Sequence, residues 1–217
     1  MQKPPALLFD LNGTMIDDMQ YHISAWHRLS NSLGASISME NMTKECYGKG
    51  EELLERIFPG RFADEEKKVM ILEKETAYQT VFRPHLKLIE GLPEFLEKAY
   101  NRDVKMAIGS AANIYNIDFV LDGLNIRHYI DAIVSADDVE ISKPAPETFL
   151  KCADLLGEDP ANCIVFEDSA KGVESAANAG MPCVVLTTMH TKEEFGQYSN
   201  VICIIENYTD PRLEALF

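Results

Sequence analysis

Six short apolar runs punctuate the chain, at residues 6–9, 104–108, 132–134, 163–166, 183–186 and 201–205. They are continuously apolar and rich in β-branched residues rather than alternating, which predicts strands buried on both faces. Segments of helical length separate most of them, and alternating strands and helices predict a parallel sheet with helices on both sides, a Rossmann-like α/β core. One stretch breaks the alternation. Met19, Ile23, Trp26, Leu29 and Leu33 recur at helical spacing with Gly34 as a stop, predicting a helix over 17–33. Further helices are predicted over 51–58 and 64–81, divided by Pro59-Gly60. The reading is a core built from residues 1–16 and 86–217, with an all-helical cap, 17–85, inserted after the first strand.

Ligands of open parallel sheets bind beyond the carboxyl ends of the strands. The first run is followed by Asp10-Leu11-Asn12-Gly13-Thr14, the second by Gly109-Ser110-Ala111-Ala112-Asn113. A loop after the third leads to Ser142-Lys143-Pro144-Ala145-Pro146-Glu147, and the fourth is followed by Glu167-Asp168-Ser169. Three carboxylates, a hydroxyl and a lysine therefore converge on one edge. Carboxylates gathered there repel one another unless a cation sits among them, and hard oxygen donors with an open face suit Mg²⁺. Lys143 supplies the opposing charge for a phosphate oxygen or a nucleophile. Ser110 is placed to open a helix whose free N–H groups suit an anion. A carboxylate in this setting can attack phosphorus, so phosphoryl transfer through Asp10 is the chemistry the set predicts.

Composition narrows the partners. Lys plus Arg is 20 and Asp plus Glu is 35, a net charge of −15, which argues against nucleic acid and anionic membrane surfaces but not against a small anion at a local lysine. Five scattered cysteines, none in C-x-x-C spacing, read as reduced, mostly buried thiols of a cytoplasmic protein. The first six residues are too short and proline-rich for a signal peptide, and no apolar run approaches a membrane span. Monomer is the default.

Taken in order, these residues resemble the haloacid dehalogenase superfamily of phosphohydrolases. Asp10-Leu11-Asn12-Gly13-Thr14 resembles its first motif, Ser110 the second-motif hydroxyl, Lys143 the third-motif lysine, and Glu167-Asp168 the acidic fourth motif. The helical insertion, with Tyr21-His22-x-x-Ala25-Trp26 and Lys74-x-x-x-Tyr78, resembles the small cap of the β-phosphoglucomutase-like subgroup. The resemblance implies Asp10 as nucleophile. It implies Mg²⁺ on Asp10, the backbone carbonyl of Asn12, Glu167 and Asp168. Ser110, Ala111, Asn113 and Thr14 would contact the phosphorylated substrate, and Lys143 would neutralise it. His22 and Lys74 would face the site from a cap hinged near 16–19 and 83–88.

Asn12 departs from the family pattern. The resemblance implies an Asp there that protonates the leaving oxygen and then activates water; a carboxamide has no titratable proton for either task. A mutase would also need a cationic grip on a second phosphate, and the matching positions are Glu51, Ala112, Asn113 and Ile114. The sequence therefore points to a Mg²⁺-dependent phosphatase of a small phosphorylated metabolite, weakened by Asn12. A phosphosugar mutase or a catalytically silent phosphate-metabolite binder are the alternatives.

Overall fold

The computed structural model describes residues 5–217; residues 1–4, included in the predicted core, lie outside that range. The chain divides into two compact units, one ending at Asp17 and resuming over Lys87–Phe217, the other Asp18–Leu86.

The first unit holds six strands: β1 (Ala6–Phe9), β2 (Met106–Gly109), β3 (Ala132–Val134), β4 (Cys163–Glu167), β5 (Cys183–Leu186) and β6 (Val201–Ile205). They form one sheet in the order β3-β2-β1-β4-β5-β6, every neighbouring pair parallel. Strand order runs outward in one direction from β1 and in the other from β4, so the reversal falls between these two. That reversal opens a crevice at their carboxyl ends. Registry there is tight: Phe9 pairs with Phe166, and their rings stack with centroids 4.9 Å apart. Side chains such as these, fully buried, each contribute about 1.5–3 kcal/mol relative to exposure.

Burial on both faces holds for β1, β2, β4 and β5 but not for the sheet edges. β3 is half-buried over Ala132 and Ile133, and Ile202 of β6 is exposed. An edge strand has one neighbour and less helix above it, which the run of apolar residues alone does not reveal. The predicted second strand also starts late: Val104 and Lys105 precede β2.

The helices, in chain order, are α1 (Met19–Ser32), α2 (Met39–Glu45), α3 (Gly50–Ile57) and α4 (Asp64–Phe82) in the second unit, then α5 (Leu92–Tyr100), α6 (Ile114–Gly123), α7 (Glu147–Leu156) and α8 (Ala170–Asn178) in the first. α2 is a helix the sequence pattern misses. It buries only Met42, too little for a periodic stripe, and it is set by Ser38, whose hydroxyl accepts the Asn41 N–H at 3.2 Å. In α1 the buried face comprises His22, Ile23, Ala25, Trp26 and Ser30, so the stripe is rotated toward His22 relative to the predicted one. Among the described residues no helix is long and apolar enough to cross a membrane. None of the five cysteines forms a disulfide, and Cys152, Cys163 and Cys183 are buried; burial pushes Cys152 up to about 12.

Candidate active site

The reversal between β1 and β4 sets the site. Asp10 directly follows β1, and its N–H donates to the Phe166 carbonyl at 2.9 Å, which brings it level with Glu167 at the end of β4. Residues 11–16 then turn back sharply. The N–H groups of Thr14, Met15 and Ile16 all converge on the Leu11 carbonyl, at 3.3, 2.8 and 3.3 Å. Gly13 sits at φ +77°, in the left-handed region that glycine adopts without steric cost. A side chain at Gly13 would also collide with the Asp168 carboxylate.

Lys143 lies between the acids. Its Nζ donates to Asp10 Oδ1 at 2.6 Å and to Glu167 Oε1 at 2.7 Å, and all three residues are buried. Burial alone would lower the lysine, but the two carboxylates outweigh it and hold Lys143 above its ordinary value. Asp168 is the opposite case. Burial, then the charges of Glu167 and Asp10, push its carboxyl well above the usual carboxylate range, opposed by Lys143. Thr188 Oγ1 lies 3.5 Å from its Oδ2.

Asp10, Glu167 and Asp168 each offer a carboxylate oxygen, all within 4.8 Å of one another. Three buried acids against one lysine leave an excess of negative charge in a dry place. Hard oxygen donors in that arrangement fit a divalent cation such as Mg²⁺.

The loop bearing Lys143 is pinned from both flanking helices. Glu147, in the first turn of α7, accepts the Glu140 and Ile141 N–H groups at 3.0 and 3.1 Å. From α8, Ser175 Oγ donates to the Ala145 carbonyl at 2.7 Å and Asn178 Nδ2 to the Pro144 carbonyl at 2.9 Å.

The sequence of this framework matches the model of the haloacid dehalogenase-like hydrolases over residues 7–186. The chain belongs to that family. It is 32% identical over 179 residues to the fructose-1-phosphate phosphatase of Escherichia coli, covering 82% of this chain and 94% of the relative. It is 30% identical over 184 residues to the β-phosphoglucomutase of Bacillus subtilis, covering 81% and 80%. The crystal structure of a β-phosphoglucomutase from Clostridium difficile superposes with a TM-score of 0.85 at 26% identity, covering 98% of this chain and 95% of that one.

Asn12 is half-buried and pairs its backbone with Ile16. Ser110 is buried, its N–H donates to the Val134 carbonyl at 3.0 Å, and its Oγ accepts the Ala112 N–H at 3.2 Å. It does not open a helix: α6 begins at Ile114, capped by Asn113, whose side chain accepts the Asn116 N–H at 3.1 Å. Asn is as good a cap as Ser, and the later of two candidates wins here. Ala111 is half-buried beside Ser110. Thr14 is fully enclosed and its hydroxyl has no hydrogen-bond partner, while its carbonyl accepts Tyr208 Oη at 3.1 Å. Its side chain has no exposed surface.

In the helical unit, His22 and Lys74 come together. Lys74 Nζ donates to His22 Nδ1 at 2.6 Å and to Glu75 Oε1 at 2.9 Å, and His22 Nε2 lies 3.2 Å from Asp18 Oδ2. Tyr78 hydrogen-bonds the same Asp18 oxygen and stacks on His22 with centroids 3.8 Å apart. His22 therefore packs against Tyr78 and within a polar cluster. Sequence reasoning does not single out Asp18, Glu75 and Tyr78 as partners; they are seen only once α1 and α4 lie side by side. It also misses Thr188, which donates to the Gly13 carbonyl at 2.6 Å and ties the first motif to the end of β5. Reading the residues just past the fifth strand, as for the first four, finds it.

Proposed function

We propose that the chain is a Mg²⁺-dependent phosphatase of small phosphorylated metabolites, sugar phosphates foremost, acting through an aspartyl-phosphate on Asp10. The observation that carries this reading is the Asp10–Lys143–Glu167 ion-pair cluster, with Asp168 beside it, at the β1/β4 reversal. The relatives that act on fructose 1-phosphate and on phosphoglucose support the substrate class.

In this reading the Asp10 carboxylate attacks phosphorus, the P–O bond to the substrate oxygen breaks, and the alkoxide leaves, taking its proton from solvent water. Water then attacks the acyl phosphate, releasing phosphate and restoring the Asp10 carboxylate. Lys143 holds Asp10 in place and offsets charge on the phosphoryl group. Ser110 and the amides after it bind phosphoryl oxygens. Asp10, Asp168, Glu167 and the Asn12 carbonyl would hold Mg²⁺, which supplies positive charge to the phosphoryl oxygens. Asn12 leaves both proton transfers without a titratable side chain. Hydrolysis is therefore slow with poor leaving groups, and the aspartyl-phosphate is long-lived.

Two features favour a phosphatase over a mutase. Asn113, which a mutase would use on a second phosphate, is engaged as the α6 cap, and Glu51 in the first turn of α3 is an acid. Asn12 favours a second reading, binding of a phosphorylated metabolite without turnover. Cysteines without a disulfide suit the cytoplasm, and a monomer suffices for the chemistry.

The test is phosphate release from an activated aryl phosphate, which barely needs a general acid, with Mg²⁺ and then with chelator. A panel of sugar phosphates comes next. Metal-dependent release supports the phosphatase. Tight binding of a sugar phosphate with no release under any condition replaces it with the binder, and interconversion of hexose phosphates without release replaces it with the mutase.

A further inference from the structure

Gly172 stands inside α8, where the backbone is ordinary helix and nothing in φ calls for glycine. Glycine is among the least favourable residues in a helix interior. Its neighbour supplies a reason. A Cβ at position 172 would fall within the volume of the Glu167 carboxylate, overlapping both its oxygens. That carboxylate is folded back over the first turn of α8. Its Oε2 accepts the Asp168 N–H at 2.9 Å, the Ser169 N–H at 3.0 Å and the Ser169 hydroxyl at 3.0 Å, and its Oε1 accepts Lys143 at 2.7 Å. Ser169 Oγ in turn accepts the Gly172 N–H at 3.1 Å. The carboxylate thus lies across the bare Cα of Gly172, held by the turn that Ser169 caps.

We propose that Gly172 and Ser169 are positioning residues of the active site: together they fix the Glu167 carboxylate in the pose that meets Lys143, and Gly172 is glycine because any side chain there evicts it. The inference rests on the proposed function for what Glu167 serves, namely the lysine and the acidic cluster with Asp10 and Asp168. A collision with the far end of a flexible side chain is relieved by moving that side chain, not the helix. Gly172→Ala therefore keeps its fold and swings Glu167 away, giving up the buried ion pair with Lys143. Lys143 is left to Asp10 alone, and the cluster loses one carboxylate.

The experiment compares the parent chain with Gly172→Ala and Ser169→Ala by thermal melting, by Mg²⁺ calorimetry without substrate, and by a crystal structure of Gly172→Ala. Both variants are expected to melt below the parent: Gly172→Ala loses the buried Glu167–Lys143 pair, and Ser169→Ala loses its cap. The metal affinities agree: both variants bind Mg²⁺ about 10–100-fold more weakly, as when partners of metal-site groups are removed. In the Gly172→Ala crystal Glu167 no longer reaches Lys143. Unchanged Mg²⁺ affinity with Glu167 still on Lys143 overturns the proposal, as does a Gly172→Ala crystal in which α8 itself has shifted and Glu167 has kept its place. The crystal comparison needs no turnover. A parent chain that neither binds Mg²⁺ nor releases phosphate sinks the proposed function, while a displaced Glu167 still upholds the positioning role.

Discussion

Lys143 Nζ lies 2.6 Å from Asp10 Oδ1 across 133 positions of sequence, and both side chains are buried. The lysine places its cation between the Asp10 and Glu167 carboxylates, all three side chains being buried. Replacing it with methionine, similar in length and uncharged, leaves two buried carboxylates facing each other. Removing one partner of a buried ion pair costs about 3–5 kcal/mol, so Lys143→Met should lose stability on that order in urea. Added Mg²⁺ should restore part of it by replacing the missing charge, and phosphate release should fall by about 10²-fold or more. A variant as stable as the parent, with or without Mg²⁺, would show that Lys143 does not balance these acids.

Asn12→Asp should move activity in the opposite direction. General acid–base catalysis is typically worth about 10²–10⁴-fold, and the gain should be larger on sugar phosphates than on activated aryl phosphates, whose leaving groups need no proton. Mass spectrometry of the parent chain after substrate addition should find a phosphoryl group on Asp10 that the Asn12→Asp variant no longer accumulates. An equal gain on both substrate types would remove leaving-group protonation from the account.

The core was legible because its strands are continuously apolar and each ends in a polar turn. The residues just past Phe9, Ile108 and Phe166 are Asp10, Ser110 and Glu167-Asp168, located to within a position or two without structural help. Helix α2 was not legible, since a single buried residue, Met42, leaves no period to read. Nor was the α6 start, where Ser110 and Asn113 are equivalent cap residues and only the chain path decides. The Asp18–His22–Lys74–Glu75 cluster escaped for another reason. Its members lie on the inner faces of α1 and α4, where charged residues normally point outward, so an amphipathic reading places Glu75 in solvent, and Lys74 is expected to face the substrate rather than to partner His22. Glu167's commitment to α8 and Lys143 is likewise a matter of where one flexible side chain folds.

Glu147 gives the Lys143 loop a pH dependence. Its carboxyl is held down to about 2, first by the Lys151 ammonium and then by the Ile141 and Glu140 N–H groups. A carboxyl lowered on folding adds stability that is present above its unfolded value, about 4.3, and is lost as pH falls through the folded one. Between about pH 4.5 and pH 2 the parent chain should therefore lose melting temperature faster than Glu147→Gln, whose amide does not titrate. Parallel curves through that window would mean that Glu147 does not clamp residues 140–141.

Tyr78 tests the polar cluster of the helical unit. Its hydroxyl bonds the fully buried Asp18 carboxylate, which also faces His22 Nε2 at 3.2 Å. Hydrogen bonds to charged groups are worth about 1.5–3 kcal/mol, so Tyr78→Phe should be destabilised by that much in urea, at nearly constant side-chain volume. Asp18→Asn keeps an acceptor for the phenol and should lose less. Burial, followed by the Asp18 charge, raises the Tyr78 phenol above its ordinary value. A group raised on folding contributes stability that is full below its unfolded pKa, about 10, and is lost as pH climbs beyond it. The parent chain should consequently lose stability above about pH 10 more steeply than Tyr78→Phe, and the two curves should converge as the pH rises. If Tyr78→Phe matches the parent at neutral pH, Asp18 is held by His22 and its other neighbours alone, and the phenol is packing rather than part of the network.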